Sequence, residues 1–95
     1  MHHAEQYATE DQEWSINWSP VLCPTGATLV SSNWYAVGPT GMTFTVVGIQ
    51  DGWFSTIRAT GGEPGSIYIQ RNDVVVEIDG DLNTYEQRLE FYITP

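Results

Sequence analysis

Beyond residue 13, apolar side chains recur at every second position in one segment after another, and no stretch of ten residues carries a helical period. A period of two puts alternate residues on opposite faces of an extended chain, so each such segment offers one face to a core. Trp14, Ile16 and Trp18 alternate with Glu13, Ser15 and Asn17 in a first strand. Pro20 and then Pro24-Thr25-Gly26 interrupt it, because proline donates no ladder hydrogen bond and glycine admits positive φ. Ala27 to Val37 reads as a second strand, with Val30, Ser32 and Trp34 on one face and Leu29 and Tyr35 on the other. Gly38-Pro39-Thr40-Gly41 turns the chain into a third strand, where Met42, Phe44 and Val46 alternate with Thr43 and Thr45. Asp51-Gly52 is a turn dipeptide, and Trp53 to Thr60 gives a fourth strand.

Gly61-Gly62-Glu63-Pro64-Gly65 is the strongest breaker in the sequence. After it, Ser66 to Ile78 keeps one parity, with Tyr68, Val74, Val76 and Ile78 sharing a face. This is one long strand, or two divided by a bulge near Asn72. Asp79-Gly80-Asp81 closes a hairpin onto a last strand whose inward residues are Leu89, Phe91 and Ile93. Six to seven short strands separated by turns describe an all-β, antiparallel sandwich over residues 14–95. A chain of 95 residues has room for one such domain. Residues 1–13 are different: they hold four acids, almost nothing apolar except Tyr7, and no period. They are expected to form an extended acidic N-terminal arm that gains order only against something else.

Charge narrows the function. There are 12 acidic and 3 basic side chains and a formal net charge of −9. The basic residues are Arg58, Arg71 and Arg88, with no lysine, so neither nucleic acid nor an anionic membrane surface is an expected partner. No apolar run approaches the ~18 residues of a membrane span. The start, Met1-His2-His3-Ala4-Glu5-Gln6, has no basic and apolar regions of a secretory signal, which leads to the expectation of folding in a cytoplasm. Asn17-Trp18-Ser19 is then a chance match to a glycosylation sequon.

Catalytic chemistry finds no foothold. The only histidines, His2 and His3, sit in the arm, and Cys23 lies in a proline-flanked turn with no neighbouring base. Asp79, Asp81, Asn83 and Glu90 fall at positions 1, 3, 5 and 12 of a calcium loop, but Thr84 stands where that loop demands glycine, and a strand follows. A small sandwich offers little cleft in which to desolvate a carboxylate pair. No catalytic, metal or cofactor residues are therefore assigned, and the expectation is a protein that is not an enzyme. The four tryptophans and five tyrosines are the remaining signal. Trp34 reads as core, whereas Trp53, directly after a turn and followed by Phe54 on the opposite face, is the best candidate for exposure.

The landmarks occur in a characteristic order. An acidic arm and the Trp14–Trp18 strand precede Thr25-Gly26-Ala27-Thr28-Leu29-Val30-Ser31-Ser32-Asn33-Trp34 and Gly41-Met42-Thr43. Thr60-Gly61-Gly62-Glu63-Pro64-Gly65-Ser66-Ile67-Tyr68 and a terminal hairpin ending Leu89-Glu90-Phe91-Tyr92-Ile93 follow. Over about residues 11–94 this resembles a family of small tailed-bacteriophage virion proteins, the fibre–tail adaptors, with an immunoglobulin-like sandwich. The most specific pieces are Ser31-Ser32-x-Trp34 and Gly61-Gly62-x-x-Gly65-x-x-Tyr68. In the second block the glycines let a tight loop enter the long strand, and Tyr68 can hydrogen-bond back to that loop as in a tyrosine corner. The sequence departs from the family in having Ala27 after Gly26 and acids in its last hairpin.

The resemblance implies a virion structural protein, made in the host bacterial cytoplasm, that joins neck, tail or fibre components. Its partners would be other virion proteins, with its own copies arranged symmetrically on the particle. The arm, through Tyr7, Glu10 and Asp11, would order on a partner, for instance by strand addition. Trp53, Phe54, Asp79 and Asp81 would contribute to further interfaces. Trp14, Trp18, Trp34, Gly61, Gly62, Gly65 and Tyr68 would hold the fold. Two alternatives are a capsid decoration protein seated between capsomers and a carbohydrate-binding sandwich that uses Trp53 or Tyr35 as a stacking platform.

Overall fold

A computed structural model of the protein describes residues 2–23 and 26–95. Met1 and the Pro24-Thr25 part of the expected chain break lie outside the described residues. Seven strands and one helical turn follow in order: β1 (His2–Tyr7), β2 (Asp11–Asn17), α1 (Ser19–Leu22), β3 (Thr28–Ala36), β4 (Met42–Gln50), β5 (Phe54–Gly61), β6 (Ile67–Ile78) and β7 (Asp81–Thr94). They form two sheets, β1-β7-β6-β3 and β2-β5-β4. Lettering β2 to β7 as B to G gives a B-E-D sheet and a C-F-G sheet, the strand division of an immunoglobulin domain, with β1 added beside G. All pairings are antiparallel except β1 with β7, which is parallel.

That parallel pair corrects the expectation of an arm. Residues 2–7 form a ladder with Leu89–Thr94, and Asp11–Asn17 pairs with Phe54–Thr60 in the opposite sheet. The boundary expected at residue 13 thus falls inside β2. Ala4 and Gln6 point inward and are buried, while His3, Glu5 and Tyr7 point to solvent. The Gln6 amide donates to the Ala59 carbonyl at 3.1 Å and accepts from the Trp14 indole N–H at 2.6 Å. A buried amide that satisfies both its halves ties β1 to β5 and β2 across the sandwich.

The core lies between the sheets. Ile16, Trp18, Leu22, Ile57 and Ala59 meet Ala4, Tyr68, Val74, Val76, Leu89, Phe91 and Ile93. Phe91 is central, with the ring of Phe44 at 5.2 Å and that of Trp14 edge-on at 6.4 Å. Trp34 is partly buried and packs on this core, its indole N–H without a hydrogen-bond partner among the described residues. Trp18 lies just beyond the end of β2, where the chain turns into α1. Pro20 sits in the first turn of α1, where a missing N–H costs nothing.

The faces of β3 differ from the simple alternation. A register shift between Leu29 and Ser31 leaves Val30 as the extra residue of a bulge, half-exposed, and brings Leu29 opposite buried Val76. Leu29, Ser32 and Trp34 therefore face inward together, and Val30 leaves the set. A second shift, between Val46 and Gly48, leaves Val47 as the extra residue on the edge strand β4, where both Val46 and Val47 are exposed. β6 is one unbroken strand. Asn72, expected near a bulge, is buried in a polar seam instead: its amide donates to Ser32 Oγ and the Asn33 carbonyl, and it accepts from the Trp18 indole at 2.9 Å.

The glycine-rich entry to β6 behaves as its spacing suggests. Tyr68, near the start of the strand, accepts a hydrogen bond on its hydroxyl from the Glu63 N–H at 2.9 Å. Gly62 has φ +97°, and a Cβ there would lie 2.8 Å from Ile93 Cγ1. Gly61 and Gly65 share the positive φ.

Candidate functional site

The loops gather at two ends of an elongated body 46 Å long. One end carries the Tyr7–Glu10 turn, the β3–β4 loop and the Gly61–Ser66 loop. The other carries α1, the Asp51-Gly52-Trp53 turn and the Asp79-Gly80 hairpin tip. The residues expected to form an interface are therefore divided. Tyr7, Glu10 and Asp11 lie at the first end, and Trp53, Phe54, Asp79 and Asp81 at the second.

At the first end Glu10 is used internally. Its carboxylate accepts from the Tyr7 N–H at 2.6 Å and from the Gln12 amide. Asp11 lies 3.3 Å and Glu13 2.7 Å from Arg58, whose pKa is raised chiefly by the Asp11 hydrogen bond. On the outer face of the opposite sheet, the ring nitrogens of His3 face Glu5 at 3.0 Å and Glu90 at 3.2 Å, which raises the histidine pKa, with the Glu5 hydrogen bond the largest cause.

The α1 end is different. A cavity of about 400 Å³ opens there, lined among the described residues mainly by Leu22, Ala27, Leu29, Asp51 and Trp53. Trp53 is 41% exposed because it sits in the turn before β5, with its carbonyl holding the Trp18 N–H at 2.9 Å. Phe54, in β5, is half-buried and meets the Trp53 ring edge-on at 6.4 Å. Asp51 occupies the left-handed region at φ +53°, a conformation that favours Gly and Asn, and stands at the cavity rim.

At this end of the sandwich the negative charge has no ion-pair partner among the described residues. Arg58 is taken up by Asp11 and Glu13, and Arg71 by Asp73 and Glu86 at 3.0 and 3.4 Å. Among the described residues Asp51, Glu77, Asp79 and Asp81 have no cationic neighbour. Glu77 sits across the ladder from Thr28 of the cavity wall, and the Asp79-Gly80 turn follows one residue later. An apolar recess with an exposed tryptophan and Asp51 in its wall, at the end of the sandwich that also carries Glu77, Asp79 and Asp81, suits an amphipathic cationic surface. Asp51 and Glu77 were not singled out from sequence; only their place in the fold joins them to Trp53.

Two other groups of residues singled out from sequence lie apart in the fold. Asp81 and Glu90 stand nine residues apart along β7, roughly 30 Å, so the calcium-loop spacing is stretched out along a strand. Tyr35 lies on β3 with the Arg71 guanidinium 4.8 Å above its ring, away from Trp53.

Compared with known proteins, residues 6–89 match the family described as podophage GP4 fiber-tail adaptor protein gp77. No curated protein and no solved structure matches the chain.

Proposed function

The chain belongs to the gp77 family of podophage fibre–tail adaptor proteins, and from that premise we propose that it is a non-catalytic joint of the virion whose α1 end seats against a basic surface of a tail or fibre protein. The family makes it a phage structural adaptor. The observation that carries the finer reading is the charge layout: among the described residues Asp51, in the wall of the Trp53 cavity, and Glu77, Asp79 and Asp81, at the same end of the sandwich, form no ion pair, whereas Asp11, Glu13, Asp73 and Glu86 are held by arginines. Long-range attraction would steer a basic partner to this end, and the exposed indole would supply apolar contact once docked. Copies placed around the tail axis would multiply individually weak contacts.

The experiment is incorporation into particles. Asp51→Asn, Asp79→Asn and Asp81→Asn together remove three charges, and asparagine tolerates the left-handed backbone at positions 51 and 79. The triple variant is expected to fold normally yet be depleted from purified virions, with Trp53→Ser adding to the defect. Full occupancy of both variants would refute docking through this end. Copy number tests the setting: an adaptor is present in roughly a dozen copies, a capsid decoration protein in hundreds.

A further inference from the structure

One stretch of the four-stranded sheet has an open edge. β7 runs from Asp81 to Thr94, but β1 covers it only from Leu89 to Thr94. Among the described residues, no strand pairs with the outer side of Asp81–Arg88. Eight extended residues present about 27 Å of edge. The long edge strands β3 and β4 are interrupted by their bulges, which make them poor templates for a further strand. β7 has no such device. Its register with β6 is unbroken from Tyr92 to Asp81, and its open half contains neither proline nor glycine.

A second observation falls in the same place. Leu82 is 66% exposed, more than any other large apolar side chain described, and it lies across from Glu77 on the outer face of the sheet. It contributes nothing to the core of this chain. Among the described residues, Glu77, Asp79 and Asp81 around it form no ion pair.

We propose that the Asp81–Arg88 edge accepts an extended, basic segment of another virion protein as an added strand in line with β1. The proposal rests on the adaptor reading and specifies its partner's chemistry. The segment is at most about eight residues long, because His2 of β1 already occupies the place beside Leu89. Backbone hydrogen bonds supply the affinity, an apolar residue meets Leu82, and cations meet Glu77 and Asp81. The two histidines at the start of β1 close the slot at its far end.

Amide hydrogen exchange on purified virions, against the free protein, tests this. The amides of Leu82–Arg88 that point away from β6, every second one along the strand, are expected to exchange at least about tenfold more slowly in the particle. Leu82→Glu is expected to keep the thermal midpoint of the purified protein while lowering its occupancy in particles. Unchanged exchange over Leu82–Arg88 in particles that contain the protein overturns the added strand and leaves the adaptor reading standing. Absence of the protein from particles overturns both. Equal protection in the concentrated free protein makes the occupant a second copy and overturns the basic partner. Full occupancy of Leu82→Glu also refutes it.

Discussion

Gln6 is the sharpest test of whether the first residues belong to the fold. It is 2% exposed, donates to the Ala59 carbonyl at 3.1 Å and the Glu10 carbonyl at 3.4 Å, and accepts from Trp14 Nε1 at 2.6 Å. Gln6→Ala leaves the part-buried Trp14 indole N–H without its partner, at about 1–3 kcal/mol, withdraws a donor from the Ala59 carbonyl of the central strand β5, and opens a small void besides. The expected loss is about 2–4 kcal/mol, a large share of the ~5–15 kcal/mol that stabilises a domain. For a domain of this size that lowers the thermal midpoint by roughly 10–25 °C. Gln6→Met keeps the volume and removes only the hydrogen bonds, so it is expected to lose a smaller part of the same amount. Urea denaturation of the three proteins measures the differences. A loss below about 1 kcal/mol for Gln6→Ala would mean that β1 is an appendage, and the structural account of residues 2–7 would fail.

Three further outcomes are expected. Tyr68→Phe removes the acceptor of the Glu63 N–H and is expected to cost about 1–2 kcal/mol in urea denaturation; no measurable loss would show that the tyrosine corner is ornamental. Gly62→Ala must place a methyl group against Ile93 and Met42 at positive φ, and a loss of about 2–4 kcal/mol is expected; a neutral result would contradict the tight loop entry. His3 has a pKa raised above its usual 6.5 by Glu5 and Glu90, so its pairing is fully present below pH 6.5 and is lost as pH rises through the raised value. After correction for intrinsic exchange, β1 amides are expected to open more often at about pH 8 than at about pH 6, with His3→Gln abolishing the difference.

Most of the sandwich was legible because β2 and β4 to β7 bury apolar residues at alternate positions, and Gly-rich or Asp-Gly turns divide them. β1 was not, for a physical reason: its two inward residues are Ala4 and Gln6, so alternation carried no hydrophobic signal, and the strand depends on amide hydrogen bonds made 53 residues away. The faces of β3 were misphased because a bulge at Val30 shifts parity, and no local residue pattern announces it. For β6 the sequence left open one strand or two divided near Asn72; hydrogen bonds from Trp18 and to Ser32 make Asn72 a buried tie within one strand. For the site, Trp53, Asp79 and Asp81 could be picked out one by one from turn chemistry. Their union with Asp51 and Glu77 needed the β3–β6 register. The division from Tyr7, Glu10 and Asp11 followed from β1 lying flat along β7 rather than reaching outward.

The sequence itself supplies a direct measurement of the central claim. The chain contains no lysine, so zero-length carbodiimide coupling of its carboxylates to lysine amines in purified virions joins it only to other proteins. Mass spectrometry of the coupled peptides then locates both partners. The account predicts links from Asp51, Glu77, Asp79 and Asp81 to lysines of a tail or fibre protein. Links confined to Glu10, Asp11 and Glu63 at the opposite end, or made chiefly to the capsid shell, would contradict it.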